Sequence, residues 1–378
     1  MKKIYWRPQG IPLAALVLLC ALSVAGLIAV ERFQKRVKLQ HYHEKIEAAR
    51  LAFKAMEFLK NERLKQGLKI DPVADPGQSG LIGPTMTETT SGVGDLEAKQ
   101  TSVNPNFAAV IVDLLKKTKV REGDLVAVSY TGSFPALNIS VSAAIQALKL
   151  NPIVITSVGS SQWGANEPAF LWIDMEKLLY DNHIFSFRST AASLGGKSDH
   201  GEELSQKGRD LLRKAIKRNT LVPIRSASIS ENVRHRISIY YRDAIPKVFI
   251  NVGGGVISVG KLSDRKLLKT GQIITGLGAA ENSDSVVYSF LEKGIPVIHL
   301  ENIIKIASAY GLPLRPATMP PIGEGKIFFR KEYDPWLTGM VLLMVLIVLY
   351  LFSKSDLGFR IFQSAPRKQD PGPPEPML

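Results

Sequence analysis

The sequence predicts an α/β protein: a doubly wound, mostly parallel sheet in a soluble domain, flanked by two transmembrane helices. Two observations carry that expectation. Apolar runs at Ile11–Val30 and Trp336–Phe352 bracket a charged body, and from Asn106 onward the spacing of apolar residues switches repeatedly between the helical and the extended period.

In chain order, residues 1–10 form a flank made basic by Lys2, Lys3 and Arg7, and residues 11–30 carry no charge. At about 1.5 Å of rise per residue, that run matches a hydrocarbon core of about 30 Å and reads as a transmembrane helix and uncleaved signal anchor. Ser23-Val24-Ala25 also offers the small residues of a cleavage site. The second run lies within residues 330–353. Trp336 and Tyr350 suit the headgroup boundaries, and Arg330, Lys331 and Lys354 stand on either side. The expected placement is a two-pass protein of the cell (inner) membrane with an extracytoplasmic main domain, although Arg32, Lys35, Arg36 and Lys38 nearly balance the amino-terminal charge.

The single cysteine, Cys20, falls inside the first run, so the folded body has no internal disulfide. The formal charge of +14 exceeds what anchoring requires and points to an anionic partner. No recognition motif accompanies it, so nucleic acid is not expected. Residues 31–66 carry many of these cations, with Ile46, Ala49, Phe53, Met56 and Leu64 at helical spacing. They read as a stalk helix whose basic face meets either lipid headgroups or a polyanion. Residues 67–105 turn to Gly, Pro, Ser and Thr, which suits a linker or a loop over a binding site rather than a packed element.

The α/β domain occupies residues 106–329. Helical spacing over Asn106–Lys119 precedes a strand at Leu125–Ser129; a helix at Ala136–Leu150 precedes a second strand at Ile153–Thr156, completing a βαβ unit. Helices follow near Ala169–Tyr180, Glu202–Arg218, Glu231–Ala244, Asp284–Lys293 and Asn302–Tyr310. Strands follow near Ile184–Phe187, Val248–Asn251 and Pro296–Leu300. Ser228 and Glu231 have capping-box spacing, and Gly311 ends the last of these helices. Residues 354–378 form a proline-rich tail expected to be disordered.

Ligands of such sheets bind beyond the carboxyl ends of the strands. The loop after the first strand holds Thr131, Gly132 and Ser133, with Pro135 placed to open a helix; its hydroxyls either receive a carboxylate or phosphate, or cap that helix. The loop after the second is denser in polar groups: Ser160, Ser161, Gln162, Trp163, Asn166 and Glu167. Here Trp163 offers an apolar wall, while Glu167 is either a general base or a helix-start acid. Gly253, Gly254 and Gly255 follow another strand and permit close backbone approach to a ligand. Gly276-Leu277-Gly278 is similar.

Val256–Val259 is β-branched and reads as strand. Gly255 to Lys261 nearly spells a nucleotide-binding loop, but Leu262 replaces the metal-binding hydroxyl. Asp199, His200, Glu202 and Glu203 match no metal-ligand spacing, so no metal or cofactor is expected. Nucleophilic catalysis has the candidates Ser133 or Ser160, His200 or His299, and Glu167 or Asp199, with Ser133, Glu167 and His200 as the favoured set.

Several segments resemble the bacterial poly-gamma-glutamate system protein family. They are Lys3-Ile4-Tyr5-Trp6-Arg7-Pro8, Gly123-Asp124-Leu125, Tyr130-Thr131-Gly132-Ser133-Phe134-Pro135, Ser160-Ser161-Gln162-Trp163-Gly164-Ala165-Asn166, Ser193-Leu194-Gly195-Gly196 and Asn251-Val252-Gly253-Gly254-Gly255. The likeness covers Met1 to Phe352. It implies a membrane-anchored accessory component of polymer synthesis and export, with the synthase's membrane subunits, the polymer and the lipid bilayer as partners. It supplies no catalytic residues. The alternative is a hydrolase or amide-bond transferase that trims or releases the polymer.

Overall fold

The computed structural model describes residues 13–196, 198–260, 273–275 and 284–354, with side chains from residue 16 to 351. The chain divides into two compact units. One comprises the described residues up to Val37 and from Arg330 onward, and the other runs from Lys38 to Phe329.

The elements begin with α1 (Leu13–Arg32), β1 (Lys35–Lys38), α2 (Tyr42–Lys65), β2 (Thr90–Gly92), α3 (Leu96–Ser102) and α4 (Phe107–Lys117). Next come β3 (Leu125–Thr131), α5 (Pro135–Ala147), β4 (Asn151–Ser157), β5 (Ser160–Ser161), α6 (Trp172–Asp181), β6 (Ala191–Ser193), α7 (Gln206–Arg218), β7 (Val222–Pro223) and α8 (Ile229–Tyr240). The rest are β8 (Val248–Val252), α9 (Val256–Val259), β9 (Ile273–Ile274), α10 (Val286–Glu292), β10 (Val297–Leu300), α11 (Ile303–Tyr310), β11 (Phe329–Glu332) and α12 (Pro335–Lys354).

In the first unit α1 packs on α12. Gly26 permits the approach, because a Cβ there would lie 2.4 Å from Val341 Cγ1. Lys35 pairs with Asp334 at 2.8 Å, and Tyr333 donates to Glu31 at 2.9 Å. Among the described residues no helix is long and apolar enough to cross a membrane. This overturns the expected flanking transmembrane helices, the signal anchor and the two-pass inner-membrane placement. The basic residues Lys2, Lys3 and Arg7 and the tail from residue 355 lie outside the described residues.

The second unit holds a sheet in the order β7-β6-β4-β3-β8-β10-β9, parallel throughout the described pairs except for β9 against β10. Alternate residues of each strand face opposite layers. Val126, Val128 and Ile250 join the apolar cluster that contains α4 and α5, while Ala127 and Phe249 join the one that contains α8 and α10. In the latter, the rings of Phe249 and Phe290 stack 4.5 Å apart. Local signals set the helix ends: Pro135 opens α5, Ser205 and Ser285 cap α7 and α10, and Gly311 closes α11 at φ 65°.

Several elements differ from expectation. Of the residues read as a stalk, Tyr42–Lys65 form α2, a core helix: Ala48, Ala49, Ala52, Ala55, Met56 and Leu59 are fully buried. Its Lys45 is buried too and is neutralised by Asp113 at 2.8 Å. The small-residue face that lets α2 approach its neighbours was hidden by the cations around it. The segment 67–105 contains β2 and α3 instead of remaining without packed elements. No strand forms at Ile184–Phe187; Ile184 and Phe185 turn inward after α6, and the strand comes at Ala191–Ser193. Val256–Val259 is helical, because Gly253 at φ 85° turns the chain out of the sheet and Val259 then bonds to the Gly255 carbonyl at 3.0 Å.

Candidate functional site

From β3 the chain moves outward through β4, β6 and β7, then returns to build β8 and β10 on the other side. The loops leaving β3 and β8 therefore diverge, opening a crevice beyond their carboxyl ends. A cavity of about 860 Å³ occupies it. Its wall includes Thr131 and Ser133 after β3, Ser161 after β4, the three glycines after β8, and Glu301 after β10; Asp95 and Lys99 close it from α3.

Placement of Lys99 follows from two local devices. Asp95 caps α3 by accepting the Ala98 amide at 3.2 Å, which sets Lys99 one turn into the helix. The segment before α3 is stitched to the loop after β4. There, β2 pairs in parallel with β5, Gln162 N donates to Gly92 O at 3.0 Å, and Gly94 N donates to Gln162 Oε1 at 3.2 Å. The Lys99 ammonium is thereby brought to the ends of β3 and β4. Its Nζ donates to Ser161 Oγ at 2.8 Å and to the Ser133 carbonyl, and lies 4.2 Å from the centre of the Phe134 ring. Ser161 N donates in turn to Ser133 Oγ at 3.0 Å.

Lys99 is only 2% exposed. Burial pushes its ammonium down to about 7, against the opposing attraction of Asp95. Near neutral pH a substantial fraction of the amine is therefore unprotonated and within hydrogen-bond reach of a hydroxyl. That is the arrangement by which a lysine activates a serine nucleophile.

Asp199 forms another part of the wall, but its charge is committed. It accepts from Arg236 at 2.7 Å, Asn232 at 3.0 Å, Ser193 at 2.7 Å and Ser157 at 3.2 Å, and both Asp199 and Arg236 are buried. This network fixes the loop after β6. Behind Glu301, the buried His299 bridges to it at 3.0 Å and to Asn251 at 3.0 Å, so both ring nitrogens have partners.

Of the residues expected to bind ligand, the cavity brings together Thr131, Ser133, Ser161, Gly253, Gly254 and Gly255. The others support the loops. Gly132 lets β3 pass the β4 loop, because a Cβ there would meet Val158 O at 2.4 Å. Ser160 is buried and donates to the Ser161 carbonyl at 2.9 Å. Trp163 packs on the core with its amide bonded to Pro84 O at 3.2 Å. The Asn166 side chain holds Pro84 O at 2.8 Å and Thr90 Oγ1 at 2.9 Å.

The set Ser133, Glu167 and His200 does not converge. Ser133 lines this cavity, His200 lines a separate groove, and Glu167 lines neither. The acids considered for metal binding are likewise apart in role, and among the described residues no group of three His, Cys, Asp or Glu is placed to hold a metal ion. Lys261, Leu262 and Gly276-Leu277-Gly278 lie outside the described residues. Lys99 was missed because its surroundings read as linker; the signal was Asp95 standing at cap spacing before a short run of helix formers.

No family model matches the chain, and no curated protein matches it. Among solved structures, the crystal structure of an archaeal alanine:glyoxylate aminotransferase is 11% identical, covering 91% of this chain and 70% of that one with a TM-score of 0.16. A likeness of that degree carries no argument about fold or function.

Proposed function

We propose that this chain acts in a bacterial poly-γ-glutamate system as an acyl-transfer enzyme, a hydrolase or amide-bond transferase that trims or releases the polymer with Ser161 as nucleophile and Lys99 as its base. The motif resemblance supports the choice of system. The observation that supports the chemistry is the 2.8 Å contact between the buried Lys99 amine and the Ser161 hydroxyl at the edge of an 860 Å³ cavity.

Neutral Lys99 takes the Ser161 proton as Oγ bonds to the carbonyl carbon of a γ-glutamyl amide, and the carbonyl π electrons move onto its oxygen. Collapse of this adduct breaks the C–N bond, and the Lys99 ammonium returns its proton to the departing amine. The resulting ester is attacked by water or by another amine, whose proton passes through Lys99 to Ser161 Oγ. Ser133, receiving the Ser161 amide, holds the nucleophile's loop in register.

A second reading, an accessory component that binds the polymer or its synthase without breaking bonds, is favoured by the +14 charge. Incubation of the full chain with poly-γ-glutamate, followed by measurement of polymer length, separates the two. Shortening that disappears in Ser161→Ala supports the enzyme; binding with unchanged length supports the accessory role and overturns the enzyme.

A further inference from the structure

A second groove, of about 1070 Å³, follows the β7 edge of the sheet. Arg213, Lys214 and Lys217 of α7 and Arg225 beyond β7 line it, and all four are exposed. Between them run the buried side chains of Ile216, Leu221 and Ile224. Arg213 is partly answered by Asp210 at 2.8 Å. Asp199, the one carboxylate among the described lining residues, is consumed by Arg236 at 2.7 Å. The groove therefore presents an excess of positive charge over an apolar floor.

Two features narrow what fits. Pro223 has no N–H, and the flanking Val222 and Ile224 amides are already bonded to Thr190 O at 3.2 Å and Ala192 O at 2.8 Å. The edge thus offers no backbone donors to an added strand, and side-chain charge must do the holding. No Phe, Tyr or Trp is among the described lining residues and His200 is the single aromatic ring there, so a platform for stacking successive bases is lacking.

We infer that this groove binds an extended polycarboxylate, its carboxylates against Lys214, Lys217, Arg213 and Arg225 and its methylene groups over Ile216, Leu221 and Ile224. Asp199 belongs to the walls of both the groove and the cavity. The inference deepens the function proposed above and takes its polymer from that reading, but it does not depend on bond cleavage.

The test is binding of poly-γ-glutamate to the full-length protein at low and high ionic strength, comparing wild type with the triple variant Lys214→Glu, Lys217→Glu, Arg225→Glu and its Gln counterpart. Circular dichroism establishes that each variant is folded. The charge-reversed protein should bind about tenfold more weakly or worse, the Gln variant should fall between, and the salt dependence of binding should flatten. Turnover of a short γ-glutamyl amide should stay unchanged in the same variants, whereas Ser161→Ala should abolish that turnover and leave polymer binding intact. Wild-type affinity in the charge-reversed protein, no polymer binding by wild type, or tighter binding of an oligonucleotide of equal charge would overturn the groove assignment.

Discussion

Lys99 Nζ stands 2.8 Å from Ser161 Oγ, although 62 positions separate the two residues in the chain. The contact joins a helix in a Gly- and Thr-rich segment to a loop at the carboxyl edge of the sheet. Its existence depends on the short parallel pairing of β2 with β5, which fixes one against the other.

The first consequence is a pH dependence. Lys99 is held down to about 7 by burial, so kcat/KM for a γ-glutamyl amide should rise as pH increases through about 7, as the base loses its proton. Lys99→Arg should lose that limb together with the activity, because a guanidinium stays protonated. Stability moves in the same direction. The unfolded chain holds the lysine proton up to about 10.5 while the folded chain releases it near 7, so wild type gains stability as pH rises through that window. Denaturant titrations should show Lys99→Met to be most stabilising below pH 7.

The two hydroxyls should separate kinetically. Ser161→Ala should lower kcat by about 10³-fold or more, whereas Ser133→Ala, which removes only the acceptor for the Ser161 amide, should cost about tenfold. Single-turnover measurements distinguish the two.

Glu176 offers an independent check on the core. Burial pushes its carboxyl up to about 7, against hydrogen bonding from Ser189 at 3.0 Å. The folded state keeps a proton that the unfolded state loses near 4.5. The contribution of Glu176 therefore falls as pH rises from about 4.5 to 7, by up to about 1.4 kcal/mol per pH unit, and changes no further above it. Glu176→Gln should flatten this slope, with its advantage over wild type greater at pH 8 than at pH 4 in chemical denaturation.

The position of α2 in the core predicts that Met56→Ala lowers unfolding free energy by about 2–5 kcal/mol, as for other buried large-to-small changes. A solvent-exposed stalk would show almost none of this loss.

Much of the sheet was legible in the residues themselves. The apolar runs at Leu125–Ser129, Ile153–Thr156 and Val248–Asn251 lie within observed strands, because strands buried on both faces read as continuous β-branched segments. Half of the candidate site was equally legible, since the topology sends Thr131, Ser133, Ser161 and Gly253 to one edge. The rest depended on tertiary context. α2 looked like a stalk because the burial of Lys45 against Asp113 is invisible without the fold. Val256–Val259 looked like a strand because side-chain shape says nothing of the turn at Gly253. Lys99 was overlooked because a pairing as short as β2 with β5 leaves no periodic signal.

The most direct measurement is mass spectrometry of the full-length protein after rapid acid quench with an activated γ-glutamyl ester or amide. The account predicts a γ-glutamyl adduct on Ser161 that forms above pH 7, persists in Ser133→Ala and is lost in Lys99→Met. Polymer shortening with the adduct on another residue, or with no adduct and full activity in Ser161→Ala, would contradict it.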